Sequence, residues 1–472
     1  MKPVVPAPNW STLPPEAAVP AFVPFAESHR TVILDDDPTG TQTVHGIPVL
    51  TDWTVPLLTE QLRSDDPAFF ILTNARALPP RAAEELIETI CRNLQTAASA
   101  TGNTFGVILR GDSTLRGHFP TEPEAVERAL GTRFDTWLIC PFFEEGGRLT
   151  LGGVHYVREG ETWVPAAETP FARDASFGYR SSDLRDWVEE KTGGTVRAGD
   201  VGLLSLEEIR TQDVEVLAER MRESSSRVWV ADALTLRDAR VVAAVVRTLE
   251  RRGVRVLART AASFVQAYLG IEGRPPLRSD ELVQGTDGSG GLVVVGSYVP
   301  KTTAQLERLR AVPGLATVEL DVEQLLDDAA QAEALRQATE QVDQYLLAGR
   351  TTVLFTSRKL IADADAGRSL QIGQRVSGSL VAVVRGLTAA PRFLIAKGGI
   401  TSSDVATRGL GVRKALIAGQ ALPGVPVWRL GSESRFPGLA YVVFPGNVGS
   451  DAALADLVQS LDKKAEPVTR NS

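Results

Sequence analysis

The feature that most constrains this chain is the acidic turn after its first strand-like run. Thr31-Val32-Ile33-Leu34 is β-branched and apolar, then turns abruptly into Asp35-Asp36-Asp37-Pro38-Thr39-Gly40. Three adjacent carboxylates cannot enter a core unpaired, because burying each charge is costly and neighbours raise one another's pKa. A buried strand that ends in acids and a tight turn fits the carboxyl edge of an α/β sheet, where such folds place their ligands. There, Asp36 and Asp37 could accept a proton from a hydroxyl, hold Mg²⁺ or bind sugar hydroxyls.

Strand-like and helical patterns alternate from this point on. Apolar runs at 69–73, 105–109, 137–141, 201–204, 228–232 and 254–258 predict strands, and 3.6-residue spacing over 80–98, 122–130, 213–222 and 236–251 predicts helices. Residues 144–200 break the rhythm, and Gly146 to Thr150 reads as a hairpin or a loop over a site. The glycine- and proline-rich stretch 271–291 reads as an exposed linker. Beyond it, strands are expected at 292–295, 317–320, 351–356, 393–396 and 441–444, with helices at 302–310, 329–347 and 370–385. The pattern predicts two α/β domains with largely parallel sheets and an active site in the inter-domain cleft. The expected layout is an N-terminal arm (1–30), a first domain (31–270), the linker, a second domain (292–460) and a C-terminal tail (461–472).

Composition excludes some functions. A chain of 472 residues has length for two or more domains. A net charge of −8 argues against a general nucleic-acid binder. Cys91 and Cys140 lie in apolar patterns, outside any C-x-x-C pair, and read as core thiols in a reducing cytoplasm. No apolar run reaches the about 18 residues needed to span a membrane, so a cytoplasmic protein with no membrane partner is expected. Residues 1–30 lack the basic and apolar regions of a signal peptide. A homodimer is the default assembly on frequency alone.

Four further constellations could carry chemistry. Arg110-Gly111-Asp112-Ser113-Thr114-Leu115-Arg116-Gly117-His118 comes directly after the predicted strand 105–109 and brings a carboxylate, two hydroxyls and two guanidinium groups together. Arginine presents a planar fork suited to a carboxylate or phosphate. Strand ends of one parallel sheet converge, so Asp36, Asp37, Asp112 and Arg116 could line one pocket. His45 and His118, in the same loops, read as hydrogen-bonded structural residues. In the second half, Gly296-Ser297, Gly398-Gly399-Ile400-Thr401 and Gly446 in Pro445 to Gly449 each come after a strand. Three glycine turns at strand ends suggest a nucleotide site whose amides approach phosphate closely. Neither the Walker A pattern nor G-x-G-x-x-G is present.

The order of these motifs resembles the four-carbon acid sugar kinase family. The motifs are Asp36-Asp37-Pro38-Thr39-Gly40, Asp112 to Gly117, Gly296-Ser297, Gly398 to Thr401 and Pro445 to Gly449, across residues 31 to 455. The resemblance implies an N-terminal sugar-acid-binding domain and a C-terminal nucleotide-binding domain. It implies ATP-dependent phosphorylation of a terminal hydroxyl on a small acid such as erythronate, threonate or a 3-oxo-tetronate. It places ATP on Ser297, Gly398, Gly399, Ile400, Thr401 and Gly446. The sequence departs from the family at Pro38, where an aromatic residue is common, and at Thr73-Asn74-Ala75-Arg76, which replaces an acidic Asp-x-x-Ser-Arg stretch. The second departure lies in the substrate domain and points to a different acid, such as a branched apiose-derived one.

The expected mechanism is in-line phosphoryl transfer, with Mg²⁺ accompanying ATP and closure of the domains excluding water. Asp37 or Asp36 accepts the hydroxyl proton, and Asp112 completes the catalytic set. Arg116, with Arg76 as the second candidate, holds the substrate carboxylate. Thr39, Gly40, Ser113 and Thr114 line the same sugar-acid site. Two competing readings are a metal-dependent hydrolase or lyase using Asp35 to Asp37 as ligands, and a non-catalytic sugar-acid sensor. Metal ligands are not legible from spacing.

Overall fold

The computed structural model describes residues 13–283, 288–358 and 366–462. The chain divides into two compact units, Met1–Gly273 and Arg274–Ser472.

The first unit is built on eight strands in one sheet. In chain order its strands are β1 (His29–Asp35), β2 (Ile47–Leu50), β3 (Ala68–Leu72), β4 (Thr104–Arg110), β5 (Thr136–Cys140), β6 (Arg148–Leu151), β7 (Val154–Glu159), β8 (Thr162–Pro165), β9 (Gly202–Leu204), β10 (Val228–Ala231) and β11 (Val256–Thr260). The sheet order is β2-β3-β1-β4-β11-β5-β10-β9, and its pairs are parallel. Strand β1 lies between β3 and β4, with Asp35 opposite Leu72 and Arg110. That register explains the near-continuous apolar runs, since a strand covered on both faces has no side to leave polar. Helix Pro80–Thr101 buries Ala83, Ile87, Ile90, Cys91 and Leu94 on one face. Each large aliphatic side chain so buried contributes roughly 1.5–3 kcal/mol. Both cysteines are free and buried.

Several boundaries differ from expectation. The strand expected at 254–258 occupies Val256–Thr260, so the charged Arg259 lies inside it. Ile47–Leu50 and helix Ala262–Leu269 are additional elements. Residues 148–165 form a separate antiparallel sheet, β6-β7-β8, so Gly146 to Thr150 is the start of a hairpin. Ahead of β1, Phe22 and Phe25 lie under the Arg247 guanidinium, 4.0 and 4.4 Å from their ring centres.

The second unit has β12 (Leu292–Val295), β13 (Ala316–Leu320), β14 (Thr352–Thr356), β15 (Leu394–Lys397), β16 (Lys414–Leu422), β17 (Val425–Leu430) and β18 (Ala440–Phe444). Their order is β13-β14-β12-β15-β18-β17-β16. The first five strands are parallel, and β17 runs antiparallel to β18 and β16. Strand β16 alternates buried and less buried residues, a half-buried pattern that does not stand out beside the continuous runs.

The linker assignment 271–291 needs correction. Residues 274–282 pack on the second unit: the Leu277 amide donates to the Gln420 carbonyl (2.7 Å), and Leu277 and Leu282 are buried. The two leucines give this glycine- and proline-rich stretch enough apolar surface to dock. Gly285, Thr286 and Asp287 lie outside the described residues. At the other end, helix Ala453–Asp462 carries the fold past 460, with Leu461 in the core.

Candidate functional site

In the first unit, the carboxyl ends of β1, β3 and β4 bring one cluster together. Asp35 closes β1 and faces the Arg110 guanidinium at the end of β4, 3.2 Å away. Asp36 lies 3.7 Å from Arg110 and 3.8 Å from Arg76. Arg76 sits in a short helical turn just after β3. It pairs with Asp37 and, at 3.1 Å, with Asp112. The Arg116 Nε donates to Asp112 at 2.8 Å. Asp36, Asp37, Asp112, Arg76 and Arg116 therefore share one site.

The neighbouring hydroxyls act on these acids. The Thr39 amide donates to Asp37 Oδ1 (2.8 Å), and its hydroxyl bonds to the same oxygen. The Thr114 hydroxyl bonds to Asp112. Gly40 lies over Asp35, and a Cβ there would collide with the carboxylate. Ser113 is buried, and its carbonyl accepts from His155 Nε2 at 2.8 Å. The other His155 nitrogen, Nδ1, faces the Thr150 hydroxyl at 3.0 Å. The Tyr179 hydroxyl donates to the Thr114 carbonyl at 2.9 Å. The Asp112–Thr114 loop is thus fixed from β6, β7 and the segment beyond. His118 bonds to the Ala75 carbonyl (3.0 Å) and His45 to that of Glu272 (3.0 Å), as structural histidines do.

Backbone strain falls in the same loops. Asn74 and Leu115 have positive φ, 52° and 70°. For the buried Leu115 this costs roughly 1–2 kcal/mol. Arg76 comes two residues after Asn74, and Arg116 comes directly after Leu115.

The carboxylates are not equivalent. Burial pushes Asp35 up to about 7, against the pull of Arg110. Burial also raises Asp36, more than Arg76 and Arg110 lower it, and neither of its oxygens has a hydrogen-bond donor among the described residues. Burial acts the same way on Asp37, but Arg76 and Thr39 outweigh it and hold Asp37 below the usual range. Arg76 and Arg116 likewise outweigh burial at Asp112 and hold it low. Glu122, opening helix Thr121–Leu130, is raised to about 8 by burial and by Asp36. Asp35 also has one buried oxygen, Oδ2, without a partner, but among the described residues both oxygens of Asp36 lack a donor, while Arg76 holds Asp37 and Asp112. Divergent environments of this kind separate a base from charge-holding neighbours. Among the described residues, no group of three or more His, Cys, Asp or Glu side chains is arranged to hold a metal ion.

The second unit gathers the glycine turns. Strands β12, β15 and β18 are neighbours, so Gly296-Ser297, Gly398-Gly399 and Pro445-Gly446 leave the sheet side by side. A Cβ on Gly296 would collide with the Thr401 hydroxyl, and one on Gly398 (φ 113°) would lie 2.8 Å from Ser297 Cβ. A Cβ on Gly446 would lie 3.5 Å from the Ser297 hydroxyl. Backbone this close leaves amides and hydroxyls as the lining, which suits phosphate. Gly399 opens a short helix, and Ile400 beside it is 68 % exposed.

Sequence reasoning does not single out four further charged residues. Arg259 is buried in β11, donates to the Arg116 carbonyl (3.0 Å) and keeps Nη1 unpartnered among the described residues. A lone arginine in an apolar strand was the available signal. Glu122 had none beyond its place at a helix start. Lys397, just before the paired glycines, is fully buried and bonds to the Pro445 and Gly446 (3.1 Å) carbonyls. Burial, with Lys301 nearby, lowers it to about 7. Arg358 donates to the Ser297 carbonyl and the Thr303 hydroxyl, both at 2.7 Å.

The two units have counterparts in known proteins. Residues 31–268 match the profile of a sugar-binding N-terminal domain, and residues 292–454 that of a nucleotide-binding C-terminal domain. A sugar-binding unit joined to a nucleotide-binding one defines the class: homologues of sugar-acid kinases. The chain belongs to the four-carbon acid sugar kinase family. It is 26 % identical over 324 residues to a D-erythronate kinase of Heliobacterium modesticaldum, covering 67 % of this chain and 68 % of that one. Two solved structures share the fold. A Salmonella typhimurium LT2 protein described as a putative tRNA synthase has a TM-score of 0.66 at 18 % identity, over 91 % of this chain and 98 % of its own. The Haemophilus influenzae protein HI1011 has a TM-score of 0.62 at 18 % identity, over 91 % and 100 %. Among the described residues, no helix is long and apolar enough to cross a membrane.

Proposed function

We propose that this protein transfers the γ-phosphoryl group of ATP to a terminal hydroxyl of a small sugar acid. The substrate class is a four-carbon acid such as erythronate, threonate or a 3-oxo-tetronate, or a branched apiose-derived acid. The observation that carries the reading is Asp36: a buried carboxylate of raised pKa between two arginines, with both oxygens free of donors among the described residues. A substrate hydroxyl supplies the missing donor, and Asp36 takes its proton as the hydroxyl attacks phosphorus. The bond from phosphorus to the ADP oxygen breaks as the new ester forms. Asp37 and Asp112, held by Arg76 and by the Thr39 and Thr114 hydroxyls, fix the geometry around Asp36. Arg116 grips the substrate carboxylate.

In the second unit, Ser297, Gly398, Gly399, Ile400, Thr401 and Gly446 hold the nucleotide. Mg²⁺ would arrive with the polyphosphate and neutralise its charge. The Ser297 and Thr401 hydroxyls are the oxygen donors nearest to hand. Positioning and charge neutralisation supply most of the catalysis in this reaction type. The test is ADP release from Mg·ATP across a panel of C4 and branched C5 sugar acids. A strong signal with one acid is expected; silence across the panel would overturn the proposal.

A further inference from the structure

The separate antiparallel sheet of the first unit brings a further arginine beside Arg116. Arg148 opens β6, and its guanidinium carbon lies 5.8 Å from the centre of the Phe171 ring. That of Arg116 lies 5.2 Å from the same ring. Arginine stacks on aromatic faces while keeping its donor fork free. The two guanidinium groups differ in what they already hold. Arg116 gives its Nε to Asp112 and lies 3.8 Å from Asp174. Arg148 gives one terminal nitrogen to the Gly146 carbonyl. Among the described residues, its buried Nε has no acceptor, and no carboxylate lies at ion-pair distance from it. Burial, opposed by Asp112 and reinforced by Arg116, lowers its pKa. Gly146 makes room for it, since a Cβ there would lie 2.8 Å from the Arg148 guanidinium.

Two like charges on one ring repel, and a buried donor without a partner is costly. A single anion between them relieves both terms. A carboxylate offers two oxygens that accept from two planar forks, whereas a neutral sugar offers none of that charge. We propose that Arg148 is the second arm of the substrate-carboxylate clamp, closing with Arg116 on the acid group over Phe171. It is then the residue that makes the site select sugar acids over neutral sugars. The inference rests on the sugar-acid reading of this site and adds its specificity element. Its second arm comes from a sheet outside the main one, so the acid end of the substrate is read by two parts of the chain, the loop after β4 and the start of β6.

The experiment is calorimetric binding of D-erythronate, D-threonate, a branched C5 acid and the neutral erythritol to the full chain without nucleotide, alongside ADP release. In Arg148→Gln, affinity for the best acid is expected to fall by about tenfold or more, with erythritol binding unchanged. Arg148→Lys keeps the charge but loses the fork, and an intermediate loss is expected. It decides the matter if the glutamine variant does not fold. Acid affinity unchanged in the variants, or acid and erythritol falling together, would overturn the clamp. A wild-type chain that binds none of the acids overturns it as well. A wild-type chain that binds an acid but releases no ADP removes the kinase reading and leaves the clamp to be judged on the binding series alone.

Discussion

Asp36 and Asp37 are neighbours in sequence with opposite chemistry. Asp37 has one oxygen held by Thr39 and the other by Arg76. Asp36 has arginines at 3.7 and 3.8 Å but no hydrogen-bond donor among the described residues. On this geometry Asp36→Asn should lower kcat by about 10²–10⁴-fold and leave ATP binding in place, the usual range for a general base. Asp37→Asn should release Arg76 and act more on KM for the acid. Rapid-mix kinetics with a nucleotide titration separates the two; an Asp36→Asn enzyme of normal kcat would remove Asp36 from the mechanism. The same burial sets the sign of the pH dependence. It raises Asp36, so the base is protonated and turnover lost as pH falls through a value above the ordinary carboxylate range of about 4. An acid limb of kcat/KM inside that range would contradict the assignment. That these acids end a strand is legible in the sequence. Which one is free is not, because that depends on Arg76 and Arg110 arriving from two other strands.

At the level of elements, the glycine turns beyond β12, β15 and β18 leave neighbouring strands and approach one another closely. Gly398→Ala would drive a Cβ to 2.8 Å from Ser297 and strain a residue at φ 113°. The expected result is a rise in KM for ATP of about tenfold or more, with acid binding by calorimetry unchanged. Equal ATP affinity in the variant would remove this turn from the nucleotide site. A second test concerns helices Leu236–Arg251 and Ala262–Leu269. The Tyr268 hydroxyl donates to Glu250 at 2.7 Å, and burial raises Glu250 to about 7. The unfolded chain ionises this group near its ordinary value of about 4.5, so the folded state loses stability as pH rises from there to about 7, and no further above it. Glu250→Gln should flatten the melting temperature across that window, as read by calorimetry; an unchanged slope would contradict it. Long apolar runs such as Phe69 to Leu72 make most strands legible. The β16–β17 hairpin is not, because Lys414 to Leu422 alternates in burial instead of forming a continuous apolar run and is interrupted by Gly419. Residues 274–282 mislead as well: composition says loop, but buried Leu277 and Leu282 and hydrogen bonds to Ala418, Gln420 and Arg429 hold them to the second unit.

For the molecule as a whole, motif order is the most informative signal. Asp36 to Gly40 and Asp112 to Gly117 lie in the sugar-binding region, and Gly296, Gly398 to Thr401 and Gly446 in the nucleotide-binding one. The placement of Arg148 and Lys397 is not legible in the sequence, because each depends on packing between segments distant along the chain, and Arg259 shows itself only as a lone arginine in an apolar strand. A chain with both sites should be stabilised by each ligand on its own, by about 2.7 kcal/mol at one hundred times the dissociation constant. Thermal shifts with Mg·ATP alone and with a sugar acid alone check this, and a shift with only one of them would remove the other site. The most direct test is to incubate the protein with Mg·ATP and D-erythronate, D-threonate or a branched C5 acid, and to track ADP and the acid together by mass spectrometry and phosphorus NMR. The account predicts an acid carrying one phosphoryl group on its terminal hydroxyl, formed one-for-one with ADP and only when ATP is present. Acid consumed without nucleotide, or acid bound with no ADP formed, would contradict it.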